Sequence, residues 1–148
     1  MCKINIKHQR LSVDFIAHLI SKKQILSPLL LGSRIDCAQL MGHSFEGNAP
    51  VVTQLKNHLV DTALLYLNAP YLSGGKTPFG IDAPGLTQMV YKINGYQLFR
   101  ETEKQALQGE PLSLIEESEP GDLAFFDDKE GIINHVGIIL KDNYIIHA

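Results

Sequence analysis

The clearest amphipathic pattern in the chain lies in residues 51–67. Its apolar side chains recur every four residues, at Val51, Leu55, Leu59, Ala63 and Leu67. Polar residues such as Lys56 and Asp61 fall off that stripe. A repeat of this period predicts an amphipathic helix across the segment.

A second helix is predicted within FGIDAPGLTQMVYKINGYQ, residues 79–97. Asp82 is a common N-cap residue, Pro84 suits the first helical turn, and Gly95 can end the helix. The apolar side chains between them share one face of such a helix: Leu86, Met89, Val90 and Ile93.

Shorter elements flank these two helices. Residues 100–108 predict a third helix that ends at Gly109. Near the start of the chain, SVDFIAHLISKKQIL carries apolar residues at helical spacing after Ser12, which predicts a short helix stopped by Pro28. The stretch that follows, up to residue 50, mixes short apolar runs with Gly and Pro and predicts strand fragments and loops.

After Pro120 the period of the pattern changes. DLAFF, NHVGIIL and NYIIHA are short runs rich in apolar and β-branched residues, and the turn-forming sequences DDKEG and KDN separate them. They predict consecutive antiparallel strands. Helices followed by a strand meander indicate an α+β domain, with the N-terminal helices packed on a C-terminal antiparallel sheet.

Composition narrows the class of protein. A chain of 148 residues suggests one domain, and its net charge of -3, with no cluster of Lys or Arg, argues against a nucleic-acid partner. The two cysteines, Cys2 and Cys37, cannot make a disulfide scaffold. No segment has the roughly 20 apolar residues of a membrane span, and the first residues lack the apolar core of an export signal.

Two histidines are candidates for chemistry because of their place in the predicted strands. His135 and His147 belong to otherwise apolar runs that are neighbours in the predicted meander. A cysteine-type hydrolase needs one imidazole as a base and a second polar group to orient it, with the thiol at a helix N-terminus. The second predicted helix offers such a start, but Ala83 and Pro84 stand there and carry no nucleophile.

Two alternatives remain open at this point. Asp82, His135 and His147 are three potential ligands for a catalytic zinc, although no metal-binding motif spacing accompanies them. IDCAQL echoes IDAPGL, so Cys37 is a candidate for a relocated nucleophile, although its flanks show no helical stripe and no preceding Gly turn.

Four segments, which together hold five ordered blocks, carry a resemblance to a known family; the first segment holds both the Pro-Tyr to Gly-Gly block and the block that opens the second helix. APYLSGGKTPFGIDAPGLTQMVYKINGYQL, EPGDLAFF, HVGIIL and YIIHA resemble the NlpC-type family of papain-like cell-wall cysteine peptidases, across about residues 51–148. The resemblance implies a papain-like fold, no cofactor, and action on the bond between D-glutamate and a diamino acid in peptidoglycan-derived peptides. It places the action of the family in the cell envelope or on recycled murein peptides in the cytoplasm.

The family's functional positions carry over residue by residue. The nucleophile falls on Ala83, the general base on His135 and the group that orients it on His147. The resemblance makes Asp82 and Tyr71 retained substrate-binding residues, with Asp82 holding the substrate's amino end. Two substrate-binding positions depart from the pattern, since Ser73 replaces an aromatic residue and Pro84 replaces a serine.

The resemblance therefore predicts a peptidase domain at residues 51–148 that lacks its nucleophile and is inactive. Its last strands are expected to be truncated at Ala148. Some family members carry bacterial SH3-like modules upstream, and residues 1–50 are a candidate remnant of one. A pseudoenzyme that binds murein peptides, an enzyme that uses Cys37 and a decayed copy are the three alternatives.

Overall fold

The structure of the chain is a computed structural model that describes residues 9–50 and 56–148. These residues form two compact units, one before and one after the gap at 51–55. Cys2 and the first part of the predicted 51–67 helix, including Val51 and Leu55, lie outside the described residues. No helix within the described ranges has the length and apolar character that a bilayer span requires.

The first unit is built on a three-stranded antiparallel sheet. Its strands are β1 (Ile16–Ile20), β2 (Leu26–Leu30) and β3 (Ser44–Glu46), in the order β2-β1-β3. The register pairs His18 of the central strand with Pro28 on one side and with Glu46 on the other. The prediction of strand fragments between Pro28 and residue 50 is confirmed.

The helix predicted after Ser12 is wrong, because this segment forms β1. Ser12 does not cap a helix: its backbone N–H donates to Ser33 and its carbonyl accepts from Gly32. Pro28 does not stop a helix either, since it lies inside β2. β2 is an edge strand, and an edge strand tolerates a residue without an N–H.

The second unit combines three helices with two small antiparallel sheets. Its helices are α1 (Leu59–Leu64), α2 (Ala83–Ile93) and α3 (Thr102–Ala106). Its strands are β4 (Lys76–Thr77), β5 (Gly80–Ile81), β6 (Leu123–Asp127), β7 (Ile133–Ile139) and β8 (Ile145–Ile146). β4 pairs with β5, and the order of the other sheet is β6-β7-β8. The predicted meander after Pro120 is confirmed.

All three helices contact β7, the central strand of the second sheet. The buried apolar side chains come from both layers: Leu59, Ala63, Ile81, Leu86, Met89, Val90, Val136 and Ile138. This arrangement confirms the α+β class, with helices packed on an antiparallel sheet. It also brings α2 against the strand that carries His135.

The helices are shorter than the sequence predicts. The described part of the 51–67 segment holds a 3-10 turn (Lys56–His58) and then α1, which ends at Leu64 and leaves Leu67 exposed. The third helix covers Thr102–Ala106 rather than 100–108. The second helix agrees with its prediction, since it ends at Ile93 and Gly95 follows with φ +81°.

Candidate active site

The start of α2 is fixed by a side-chain cap. Asp82 has extended backbone angles (φ −113°, ψ 170°), and its Oδ1 accepts a hydrogen bond of 2.8 Å from the Gly85 N–H. This is the N-cap geometry predicted from the sequence. Ala83 follows as a buried residue, 3% exposed, and Pro84 lies half-buried in the first turn, where its missing N–H has no cost.

The second oxygen of Asp82 joins two other segments to the helix start. Its Oδ2 accepts 2.7 Å from the Gly74 N–H and 2.6 Å from Nη2 of Arg100. Burial opposes ionisation of Asp82, but the hydrogen bonds from Arg100, Gly74 and Gly85 outweigh it, so its pKa lies below the usual value. Asp82 is therefore a buried carboxylate at neutral pH, paired with a cation.

Three glycines allow the chain to close around Asp82. Gly74 has φ +79°, a conformation that glycine adopts without strain, and this turn directs its N–H at the carboxylate. A Cβ on Gly75 would collide with the Gly80 carbonyl, and a Cβ on Gly85 would collide with the Gly75 carbonyl. The Gly-Gly pair in the sequence is thus required by close backbone contacts as well as by the turn.

The other two predicted substrate-binding residues lie on the same turn. Tyr71 forms an isolated parallel bridge with Ile81, one residue before Asp82, and its side chain is exposed. Ser73 is an exposed turn residue next to Gly74. Both are accessible to a ligand, and their role in binding stays a prediction.

The two histidines of the predicted pair are neighbours. His135 lies in β7 and His147 directly follows β8, with ring centroids 5.0 Å apart and ring planes at 79°. Gly137 lets the strands approach here, because a Cβ on it would lie 2.9 Å from the Ile146 carbonyl oxygen and 3.3 Å from the His147 Cβ. The Phe126 ring contacts His135 from β6, with centroids 5.9 Å apart.

The surroundings of His135 favour its neutral form. Partial burial lowers its pKa, and the nearby His147 ring lowers it further. A neutral imidazole can accept a proton, which is what a general base requires. Because α2 packs on β7, the helix that begins at Ala83 contacts the strand that holds His135, the predicted base.

Sequence analysis missed Arg100 and Gln105, which both hold the start of α2. Gln105 is buried; its Nε2 donates to the Pro84 carbonyl at 3.0 Å, and the Thr87 hydroxyl donates to its Oε1 at 2.7 Å. Both residues lie in the segment predicted as a plain third helix. The available signals were the cation at the first residue of the predicted helix, which lies two residues before the observed α3, and a glutamine on the inner side of that helix.

The two alternatives from sequence analysis find little support. No group of three His, Cys, Asp or Glu side chains within the described residues is arranged to hold a metal ion. Cys37 is half-buried in a series of turns of the first unit, and no helix begins there. It therefore lacks the helix N-terminus that lowers the pKa of a thiol nucleophile.

Comparison with other proteins assigns the second unit to the family that its sequence resembles. Residues 68–148, more than half of the chain, match the profile of the NlpC/P60 family. A dipeptidyl-peptidase 6 of Lysinibacillus sphaericus is 36% identical over 108 residues, which are 72% of this chain and 35% of that protein. A gamma-D-glutamyl-L-lysine dipeptidyl-peptidase of Bacillus cereus is 28% identical over 148 residues, 96% of this chain and 44% of that protein. The chain thus spans less than half the length of these curated relatives.

Solved structures share the fold. An NlpC/P60 family protein from Bacillus cereus superposes with a TM-score of 0.79 at 23% identity, over 95% of this chain and 54% of that one. The NlpC/p60 domain of the peptidoglycan hydrolase SagA superposes with a TM-score of 0.57 at 34% identity, over 64% of this chain and 80% of that one. Since the family profile matches residues 68–148, more than half of the chain, the chain belongs to the NlpC/P60 family.

Proposed function

We propose that this chain is a peptidoglycan peptide hydrolase of the γ-D-glutamyl–diamino acid type that has lost turnover and retains peptide binding. The observation that carries the proposal is that His135 and His147 are in ring contact at the sheet against which α2, the helix that begins at Ala83, is packed. Relatives named as γ-D-glutamyl-L-lysine dipeptidyl-peptidases support the substrate class.

Loss of the nucleophile accounts for the loss of turnover. A methyl group cannot form the acyl-enzyme of a cysteine peptidase. In a serine peptidase, removal of the nucleophile lowers turnover about a million-fold. Such a loss corresponds to about 8 kcal/mol of barrier reduction, which residual binding and oxyanion stabilisation do not recover.

Binding depends on different groups and is expected to persist. We call Tyr71, Ser73, Asp82, Ala83, Pro84, His135 and His147 the candidate site. Tyr71 and His147 stay exposed and His135 is half-buried, so a peptide still meets a phenol and two imidazoles, while the ionised Asp82 lies largely buried and holds the helix start. Ser73 and Pro84 lack an aromatic wall and a hydroxyl, and we expect them to weaken affinity.

Restoration of the nucleophile tests the catalytic half of the proposal. The variant Ala83→Cys with Pro84→Ser is incubated with L-Ala-γ-D-Glu-L-Lys, and release of lysine is followed by chromatography. We expect release by the double variant and none by the natural chain. The same variant with His135→Ala is the matched control and should be inactive. Turnover by the natural chain that disappears in Cys37→Ser would overturn the proposal.

Calorimetric titration of the natural chain with the same peptide tests the binding half. Heat that saturates below millimolar peptide, and that is reduced in Tyr71→Ala, is the expected result. No heat at millimolar peptide, together with a cooperative thermal transition, would show a folded chain without this ligand. A chain without a cooperative transition would match a decayed copy instead.

We also propose that residues 51–148 form the peptidase-type domain and that residues 1–50 are a remnant of an SH3-like module. The division of the described residues into two units supports this boundary. The three antiparallel strands of the first unit fit a small β module.

A further inference from the structure

The ion pair between Arg100 and Asp82 is the shortest of the described ion pairs and the most buried. Nη2 of Arg100 lies 2.6 Å from Oδ2 of Asp82, and the two side chains are 30% and 12% exposed. By contrast, the pair between Lys104 and Glu101 spans 3.4 Å, and each of its side chains is 59% exposed. A surface pair of that kind contributes little, whereas removing one partner of a buried pair leaves an uncompensated charge.

Residues 97–99, which directly precede Arg100, are held in place by the side chains of three glutamines. Three successive carbonyls each accept a glutamine amide: Gln97 from Gln108 at 3.0 Å, Leu98 from Gln88 at 2.9 Å, and Phe99 from Gln105 at 2.8 Å. The Phe99 N–H in turn donates to Oε1 of Gln108 at 2.7 Å. We call Gln88, Gln105 and Gln108 the glutamine bracket. The bracket comes from α2, α3 and the residue after the C-cap of α3, so it fixes residues 97–99 against both helices.

Asp82 links Arg100 to two backbone segments, one before Ala83 in the sequence and one after it. The carboxylate that Arg100 pairs with also binds the Gly74 N–H, on the turn that carries Tyr71 and Ser73, and the Gly85 N–H, in the first turn of α2. A carboxylate has about four lone-pair positions, and three of those on Asp82 are occupied in this way. The charge of Arg100 keeps the carboxylate ionised despite its burial, and only the ionised form can accept from both amides at full strength.

We propose that Arg100 is a positioning residue of the candidate site, acting through Asp82 and held in place by the glutamine bracket. Through Asp82, Arg100 fixes the position of the turn at residues 73–75 relative to the start of α2. It thereby sets the distance between Tyr71, which precedes the turn, and Ala83, the first residue of α2. The proposal rests on the proposed function only in taking this region as the peptide-binding site.

Amide exchange in the full chain tests the positioning role directly. In Arg100→Gln the Asp82 carboxylate loses its cation, so the Gly74 amide should exchange with deuterium at least about tenfold faster, and the Gly74 and Gly85 resonances should move. Arg100→Lys should recover part of the protection. Lys104→Gln, the same charge change in an exposed pair close by, should leave both amides unchanged. Unchanged Gly74 protection in Arg100→Gln would overturn the proposal.

A second variant guards against a failure of Arg100→Gln to fold. Gln108 lies at the surface, so Gln108→Ala should fold while it releases the Gln97 carbonyl and the Phe99 N–H. We expect faster Gly74 exchange here too, by a smaller factor. If Gln108→Ala and Arg100→Lys both leave Gly74 unchanged, the proposal is wrong even without Arg100→Gln.

Peptide titration then separates this proposal from the proposed function. If the natural chain binds L-Ala-γ-D-Glu-L-Lys, Arg100→Gln should weaken binding about tenfold, and Lys104→Gln should not. If the natural chain does not bind the peptide, the proposed function fails, while the Gly74 exchange data still decide the role of Arg100. Equal peptide affinity in the natural chain and in Arg100→Gln would contradict the link between Arg100 and the site.

Discussion

Under the proposed function, Ala83 takes the place of the cysteine of a peptidase, and the side chain there lacks only the sulfur atom. The neighbouring chemistry persists, since His135 and His147 are in ring contact and burial lowers the pKa of His135. In a cysteine peptidase the base stands beside a thiolate, whose charge favours the imidazolium form. With Ala83 in place no such charge is present, so His135 keeps the low pKa of a partly buried imidazole.

Ala83→Cys should therefore raise the pKa of His135. The thiolate that forms at the N-terminus of α2 stabilises the protonated ring, so we expect the His135 titration to move to higher pH. The measurement is an NMR titration of the His135 side chain in both proteins. Ala106→Cys, with the thiol on α3, is the control and should leave the titration unchanged. If the pKa of His135 is the same in Ala83→Cys as in the natural chain, residue 83 is too far from this imidazole to affect it. That result would contradict the catalytic assignment.

Asp82→Asn should reduce the free energy of unfolding at neutral pH by about 2 kcal/mol, because Arg100 and the Gly74 amide lose a charged acceptor. The pKa of Asp82 is lowered in the folded state, so its contribution is present above the unfolded-state pKa and is lost as pH falls through the folded-state pKa. Urea unfolding at pH 7 and at acid pH measures both effects.

The difference between Asp82→Asn and the natural chain should accordingly shrink toward low pH. Asp61→Asn, an exposed position on α1, should change stability by less than about 0.5 kcal/mol at either pH. A difference between Asp82→Asn and the natural chain that is constant with pH would show that the ionised carboxylate is not what stabilises the fold.

At the scale of single residues, part of the candidate site was predictable from residues that are close together in the sequence. Asp82 caps the helix that begins one residue later, and the two histidines are separated by one short hairpin, so sequence spacing alone brings them together. Arg100 was not predictable in this way. Its partner lies 18 residues upstream, and the pairing depends on where the glutamine bracket holds residues 97–99.

At the scale of elements, the N-terminal segment shows where periodicity fails. Phe15, Ile16, Leu19 and Ile20 fit a helical stripe, yet Ile16–Ile20 forms the central strand of a sheet. A short apolar run fits both the helical and the strand period, and the strand forms here because β2 and β3 supply partners 6 to 28 residues away. α2 was predictable because its cap, its stripe and its ending glycine are all local.

The start of α2 is also the element most sensitive to added volume. Gly85→Ala should lower the free energy of unfolding by about 3 kcal/mol, because the new Cβ collides with the Gly75 carbonyl and pushes the helix away from the turn. Gly109→Ala is the matched control, since a Cβ there meets no atom within 4 Å, and it should change stability by at most about 0.5 kcal/mol. Thermal or urea unfolding of both variants measures the two free energies of unfolding. Equal values for Gly85→Ala and Gly109→Ala would mean that the turn at Gly75 moves aside without cost.

At the scale of the whole molecule, the second unit contains what a domain needs. Its buried side chains from α1, α2 and β7 form one core, and all three helices contact the central strand of its sheet. The site residues predicted from sequence also lie inside this unit. The resemblance covers residues 51–148 and so sets the N-terminal segment apart, but the β character of the first unit was not predicted, since a helix was expected where β1 forms.

Residues 54–148 expressed alone should therefore fold and keep the candidate site. Because the core and the network around Asp82 are internal to this unit, we expect a cooperative thermal transition and a His135 titration within about 0.3 units of that in the full chain. The full chain measured under the same conditions is the control. A fragment that melts without cooperativity would show that the first unit is needed for the fold. A folded fragment with a changed His135 titration would show instead that the predicted site is not independent of the first unit.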